Sequence, residues 1–142
     1  VFSRRRRDGV RYGTHQQQYS NFFADLYSGA DVIAIMDSDS VLVTAQTPEE
    51  WFDDRGRPIN IGVTQWSPRN PKGRWARATA LAIGKPQHAD FMVNFPIRIP
   101  RAVFPALRAH IERHHNATFD TVFYRITDCC EEGYSQFNII LN

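Results

Sequence analysis

Two aspartates, Asp37 and Asp39, stand on either side of Ser38 and follow directly on an apolar run, residues 32–36. If that run is a strand, its rigid end holds the carboxylates close together, and their repulsion is costly unless a cation or a shared proton relieves it. Carboxylate oxygens are the ligands that Mg²⁺ and Mn²⁺ prefer, and these ions complete their shells with water and substrate phosphates. The spacing therefore predicts a divalent metal site on Asp37 and Asp39, and a phosphate-containing ligand in contact with Asp37, Ser38 and Asp39.

The alternative interpretation of this pair is a solvated loop in which two aspartates simply face water. An isolated Asp-x-Asp favours that interpretation. Here a second apolar segment, residues 41–44, follows the pair at once, so the acidic residues are predicted to lie in a tight turn between two strands. That context favours the metal site.

The segments around the pair predict the elements that position it. Aromatic and aliphatic side chains recur at helical spacing over residues 14–28, and Gly29 is a natural end for that helix. Thr47, Pro48 and Glu50 have the pattern of a capping box at the start of a short helix. Predicted strands cover residues 31–36, 41–44 and 59–63. The first strand is almost wholly apolar, which indicates burial on both faces.

The second half of the chain predicts more helices than strands. An extended segment at residues 91–99 contains Pro96, which is typical of an edge strand or a bulge. Predicted helices cover residues 75–83, 100–115 and 119–126. Alternating strands and helices predict one α/β domain over residues 1–142, with a mixed sheet flanked by helices.

Composition narrows the class of partner. Hydrophobic residues are 42% and charged residues 23% of the 142 residues, as in ordinary globular proteins. The net charge of +2 gives no field that points to nucleic acid or a membrane surface, and the apolar runs are shorter than a membrane span needs. The chain begins without Met and ends within an apolar pattern, so we expect a piece truncated at both ends. A cytoplasmic and a Golgi location both remain open.

Residues 31–43, DVIAIMDSDSVLV, resemble the strand, Asp-x-Asp motif and following strand of GT-A-fold glycosyltransferases. Three further stretches are similar to a group of bacterial, algal and viral domains of this kind: TPEEWFDDRGRPI at 47–59, DFMVNFPIRIPRAVFPALRAHIE at 90–112 and FDTVFYRITDCCEEGYSQFNII at 119–140. The resemblance implies a GT-A-like, partial Rossmann-like fold of the nucleotide-diphospho-sugar transferases. The first βαβ portion of that fold, which binds the nucleotide base, is not in this sequence.

The resemblance also implies roles for particular residues. Asp39 would bind Mn²⁺ or Mg²⁺ directly, while Asp37 would contact the donor ribose, or the ion through water. The donor would be a nucleotide sugar, such as a UDP- or GDP-sugar, and the acceptor a glycan, lipid or protein. Such domains carry Glu near the position of Gln136, and glutamine cannot act as a base.

Other side chains are candidates for the rest of such a site. Asp128 and Glu132, with the neighbouring Glu131, lie between the predicted helix at 119–126 and a final helix expected at the end of the sequence, where a carboxylate could take a proton from the acceptor hydroxyl. His88 is a candidate metal ligand, and Lys85 a candidate partner of the donor phosphates. The alternative for each is an ordinary solvated loop residue.

Weaker candidates have stronger structural alternatives. His110, His114 and His115 are predicted to form a solvated helix face rather than a metal site. Surface charge, core aromatics or loop positions are the simpler interpretation of the remaining candidates, which are Asp90, Arg74, Arg77, Trp66, Trp75 and the run Arg4, Arg5, Arg6 and Arg7.

Two competing functions use the same acidic pair. In a phosphatase of the haloacid-dehalogenase type, Asp37 would be the nucleophile and Asp39 the acid and base. That motif normally ends the first strand of its domain, whereas a helix is predicted before it here, and the later acidic pair that such enzymes need is not evident. A catalytically inactive, transferase-like binding module is the other alternative, and Gln136 favours it.

Overall fold

Helices and one small sheet make up the part of the chain that the structure describes. The structure is a computed structural model, and it describes residues 9–64, 73, 75–130 and 133–142, with side chains in the first helix from His15 onward. The α-helices are α1 (Gly9–Asn21), α2 (Pro48–Trp51), α3 (Ala76–Ile83), α4 (Val103–His115), α5 (Phe119–Cys129) and α6 (Gln136–Leu141). A 3₁₀ turn (Ala24–Leu26) follows α1, and the strands are β1 (Val32–Ile35) and β2 (Ile97–Pro100). The prediction that α-helices and β-strands occur together is confirmed.

The sheet is smaller and simpler than predicted. Strands β1 and β2 pair antiparallel, with Ile33 opposite Ile99 and Ile35 opposite Ile97. The isoleucines of β2 are fully buried against the helices, whereas β1 is only partly buried and its Ala34 is exposed. The predictions of a mixed sheet and of a first strand buried on both faces are therefore wrong for the described residues, because the sheet has two antiparallel strands and no residue of β1 is fully buried.

Two predicted strands do not form. Residues 41–44 are irregular, and Val41 and Val43 are 78% and 90% exposed. Residues 59–63 contribute isolated pairing only, between Val63 and Asp90. A short apolar segment becomes a strand only where a neighbouring backbone can pair with it, and in the described structure residues 41–44 have no such neighbour.

The core lies between the helices and the inner face of the sheet. Along α5 the buried side chains are Phe119, Val122, Phe123 and Ile126, which is the spacing the sequence predicts. Aromatic rings from α1 and its end meet this stripe, with the Phe22 and Phe119 ring centres 5.2 Å apart. Among the described helices, none combines the length and the apolar character that crossing a lipid bilayer requires.

Helix ends follow local sequence signals. The Thr47 N–H donates a 2.9 Å hydrogen bond to the Glu50 carboxylate at the start of α2, as the capping pattern predicts. The predicted helix over residues 14–28 is interrupted, because α1 ends at Asn21 and the chain continues as a 3₁₀ turn. Gly84 ends α3 in the left-handed region, with a φ of 74°.

Replacing Gly84 by alanine should destabilise the protein by about 1–2 kcal/mol, the cost of a left-handed backbone for a residue with a Cβ. The added Cβ would also lie 2.6 Å from Cε1 of His114, so the imidazole must move. Urea denaturation measures the change. Gly29→Ala is the matched control, because nothing lies within 4 Å of a Cβ there. Equal unfolding free energies for the two variants would contradict the argument.

Candidate functional site

Strand β1 delivers the acidic pair. Asp37 follows β1 after one intervening residue, and its carbonyl accepts a 3.0 Å hydrogen bond from the Ser40 N–H, which closes a tight turn. Pairing with β2 fixes β1, and the Asp31 carbonyl at its start accepts a 2.8 Å bond from the Arg101 N–H. We refer to residues 37–40 as the acidic turn. It is tied to the sheet at its amino-terminal side only, since residues 41–44 are irregular.

The two carboxylates of the acidic turn interact electrostatically. Asp37 is partly buried, and Ser38 and Asp39 are exposed. Burial raises the pKa of the Asp37 carboxyl above its ordinary value, and the negative charge of Asp39 raises this pKa further. A cation bound between the two oxygens would offset the second effect. The turn therefore presents carboxylate oxygens, which are hard metal ligands. One side of the turn is open to solvent.

The described residues supply no complete protein cage for a metal ion. Among them, no group of three or more His, Cys, Asp and Glu side chains is arranged to hold one. The predicted trio of Asp37, Asp39 and His88 is thus not brought together. The donor set fits an ion such as Mg²⁺, which usually takes one or two carboxylates and completes its shell with water and phosphate oxygens.

Three of the other predicted site residues are described, and all three are exposed. His88 is exposed, and its backbone N–H donates a 2.6 Å bond to Oδ1 of Asn142. Lys85 is exposed directly after Gly84, and Asp128 is exposed near the end of α5. In the described part of the chain, none of these three side chains makes a hydrogen bond or ion pair with the turn. Glu132 lies outside the described residues.

Several weaker candidates can also be placed. Arg77 is exposed and Trp75 is partly buried at the start of α3. The prediction of a solvated histidine face is wrong for His110 and His115. Their Nε2 atoms lie 2.9 Å and 3.2 Å from the carbonyl oxygens of Ile83 and Ala82 at the end of α3. The candidates outside the described residues are Arg4, Arg5, Arg6, Arg7, Trp66, Arg74 and Glu131.

Helix α6 holds its polar side chains inside the protein. Gln136 is 3% exposed, and its Oε1 has no hydrogen-bond partner among the described residues. The Asn138 side chain accepts a 2.7 Å bond from the Phe91 N–H and donates a 3.1 Å bond to Oδ1 of Asp90. Asp90 is thereby engaged in holding its own loop against α6. No sequence pattern pointed to Asn138, because a single asparagine in an apolar helix is not distinctive.

Arg98 is a second residue that sequence reasoning missed. It is the one charged residue in the segment FPIRIP at 95–100, and a charge at the centre of an apolar segment was the available signal. In the structure Arg98 is central in β2 and 7% exposed.

Comparison with known proteins identifies no family or function for this chain. Neither a protein-family model, nor a curated protein, nor a solved structure matches the chain.

Proposed function

We propose that this chain is the metal- and diphosphate-binding part of a GT-A-type glycosyltransferase, which moves a sugar from a nucleotide sugar to an acceptor. The observation that supports the proposal is the acidic turn: two mutually repelling carboxylates, one of them partly buried, at the end of a strand paired in a sheet. The resemblance of residues 31–43 to the Asp-x-Asp region of these enzymes agrees with it.

In this proposal each residue of the acidic turn has a defined task. Asp39 is exposed and binds Mn²⁺ or Mg²⁺ directly. Asp37 is partly buried and contacts the donor ribose, or the ion through water. When bound, the ion neutralises charge on the departing diphosphate, which is Lewis-acid catalysis. Because burial and Asp39 raise the pKa of Asp37, the carboxylates bind a cation less well as the pH falls through that pKa.

The transfer step also needs groups outside the turn. The acceptor oxygen bonds to the anomeric carbon while the bond from that carbon to the diphosphate oxygen breaks. In a transferase that inverts the anomeric centre, a carboxylate takes the acceptor's proton. Asp128 and Glu132 are the proposed bases and Lys85 is a proposed phosphate contact. His88 is left out of the proposal, because the described structure does not group it with Asp37 and Asp39. Gln136 is buried and has no ionisable proton, so it is not a base.

A screen of nucleotide sugars tests the proposal. The intact protein is incubated with UDP- and GDP-sugars, with and without Mn²⁺, and the release of nucleoside diphosphate is scored. We expect release from at least one donor, dependent on the metal. Release of inorganic phosphate from a phosphomonoester, with no donor turned over, would instead favour the phosphatase. Mn²⁺ or donor binding without turnover would favour an inactive binding module.

A further inference from the structure

Arg98 is a buried cation on the outer side of the sheet. It lies between Ile97 and Ile99 in β2, opposite Ala34 of β1. Because side chains alternate along a strand, the two isoleucines face the helices while Arg98 faces the other way. There residues 51–60 cover it, and only 7% of the residue is exposed.

Part of the Arg98 side chain is occupied by protein contacts. Its Nη1 donates a hydrogen bond to the carbonyl of Ile59. The guanidinium carbon lies 4.9 Å from the centre of the Trp51 ring, which is a cation–π contact. Asn60 fixes the backbone at the same point, since its side chain accepts a 2.9 Å bond from the Arg98 N–H and donates a 2.7 Å bond to the Arg98 carbonyl.

The opposite edge of the guanidinium has no acceptor among the described residues. Nε is enclosed and lacks a hydrogen-bond partner among the described residues. Nη2, on the same edge, makes no hydrogen bond there either and is not enclosed in that way. Other arginines differ, since Arg57 and Arg108 have carboxylate partners in Asp53 and Asp25. No described carboxylate pairs with Arg98.

An unpaired buried charge is costly, and buried arginines are almost always paired. One carbonyl and one aromatic face satisfy only part of a guanidinium, which carries five N–H donors. Burial also lowers the pKa of Arg98, as expected for a cation without an anionic neighbour. The free edge has the side-on geometry with which arginine binds two oxygens of a phosphate or carboxylate.

We propose that the Nε and Nη2 edge of Arg98 binds an oxyanion, the phosphate or carboxylate group of a ligand, beside Trp51. This site is independent of the acidic turn and needs no metal. The Trp51 ring and the Ile59 carbonyl hold the guanidinium in place before the anion arrives. The bound anion supplies the charge that the described protein residues do not.

The test follows two signals at Arg98 during titration with inorganic phosphate, at constant ionic strength, without metal. The first signal is the ¹H–¹⁵N resonance of Arg98 Nε, and the second is the fluorescence of Trp51, assigned by its loss in Trp51→Phe. Both should change saturably with phosphate and not with chloride. A parallel titration with acetate separates the two anion classes, and a saturable response to either anion supports the site.

Variants distinguish a specific site from ionic screening. Arg98→Lys keeps the positive charge but loses the two parallel N–H donors of the guanidinium. We therefore expect phosphate affinity to fall at least about tenfold. Arg57→Lys changes an exposed arginine and should leave phosphate affinity unchanged. No saturable shift of the wild-type Nε resonance with either anion would overturn the proposal, even if Arg98→Lys does not fold. An equal phosphate response in folded Arg98→Lys would overturn it as well.

Discussion

Asp39→Asn should lower metal-dependent release of nucleoside diphosphate by about 100-fold or more. Losing a residue that merely supports a metal ligand typically costs about 10- to 100-fold, and Asp39 is proposed to bind the ion itself. Asparagine keeps the size of the side chain and removes the charge. Asp37→Asn should also lower the rate by a large factor, since it removes the second carboxylate. Initial rates at saturating Mn²⁺, with the donor identified by the screen, measure both effects.

Asp54→Asn is the matched control for these variants. Asp54 is an exposed aspartate in the turn that follows α2, and its replacement should leave the rate unchanged. Wild-type rates in both Asp37→Asn and Asp39→Asn would contradict the assignment of the acidic turn. An equal loss of rate in all three variants would indicate instead a general effect of removing a negative charge.

The loss of rate should occur without loss of folding stability, because the pair is strained in the absence of a cation. The pKa of Asp37 is raised in the folded protein. Between the unfolded and the folded pKa the folded state holds the extra proton, so stability falls as the pH rises through that interval. At neutral pH Asp37 is ionised in both states, so the whole free-energy cost of its ionisation in the folded state is present. Asp37→Asn removes that cost. Metal-free Asp37→Asn should therefore melt no lower than wild type at pH 7, and any gain should disappear below the ordinary pKa of aspartate.

Local signals in the sequence predicted the helices well. The apolar spacing over residues 119–126 gives the buried stripe of α5, and the helix predicted over residues 75–83 forms as α3. The acidic pair was likewise found because its members are two residues apart, so the interaction needs no distant part of the chain. Sequence spacing alone is enough to predict an interaction where the interacting residues are neighbours in sequence.

Features that depend on distant partners were not predictable in the same way. Strand β1 pairs with β2 from the second half of the chain, and nothing in residues 31–44 indicates which apolar run finds such a partner. His110 and His115 looked solvated because their spacing on α4 says nothing about the carbonyl groups of α3 beside them. Arg98 acquires its significance only when the segment containing Trp51 covers it.

One contact between residues distant in sequence should contribute strongly to the free energy of unfolding. Arg108 of α4 forms two hydrogen bonds to the Asp25 carboxylate, 2.7 Å and 2.9 Å long. The side chains of Arg108 and Asp25 are only 15% and 9% exposed. Arg108 also donates to the Phe22 carbonyl and lies 4.6 Å from the centre of the Phe23 ring. The pair therefore fastens the end of α1 and the 3₁₀ turn to α4.

Asp25→Ala should destabilise the protein by about 3 kcal/mol, because it leaves the Arg108 guanidinium buried without its carboxylate. Urea denaturation at neutral pH measures the loss. Arg57→Ala is the comparison, since it breaks an ion pair in which the Arg57 side chain is 67% exposed, and such surface pairs add little. Equal stability of the two variants would contradict the role of burial.

The pH dependence separates this electrostatic contribution from lost packing. Hydrogen bonds from Arg108 hold the pKa of Asp25 below its ordinary value in the folded protein. The unfolded state then takes up the proton first as the pH falls, so the stabilisation is complete above the unfolded pKa and is lost as the pH falls through the folded one. Wild type should lose this part of its stability in acid while Asp25→Ala has none to lose. The stability difference between them should narrow at low pH, whereas a difference caused by packing alone would stay constant.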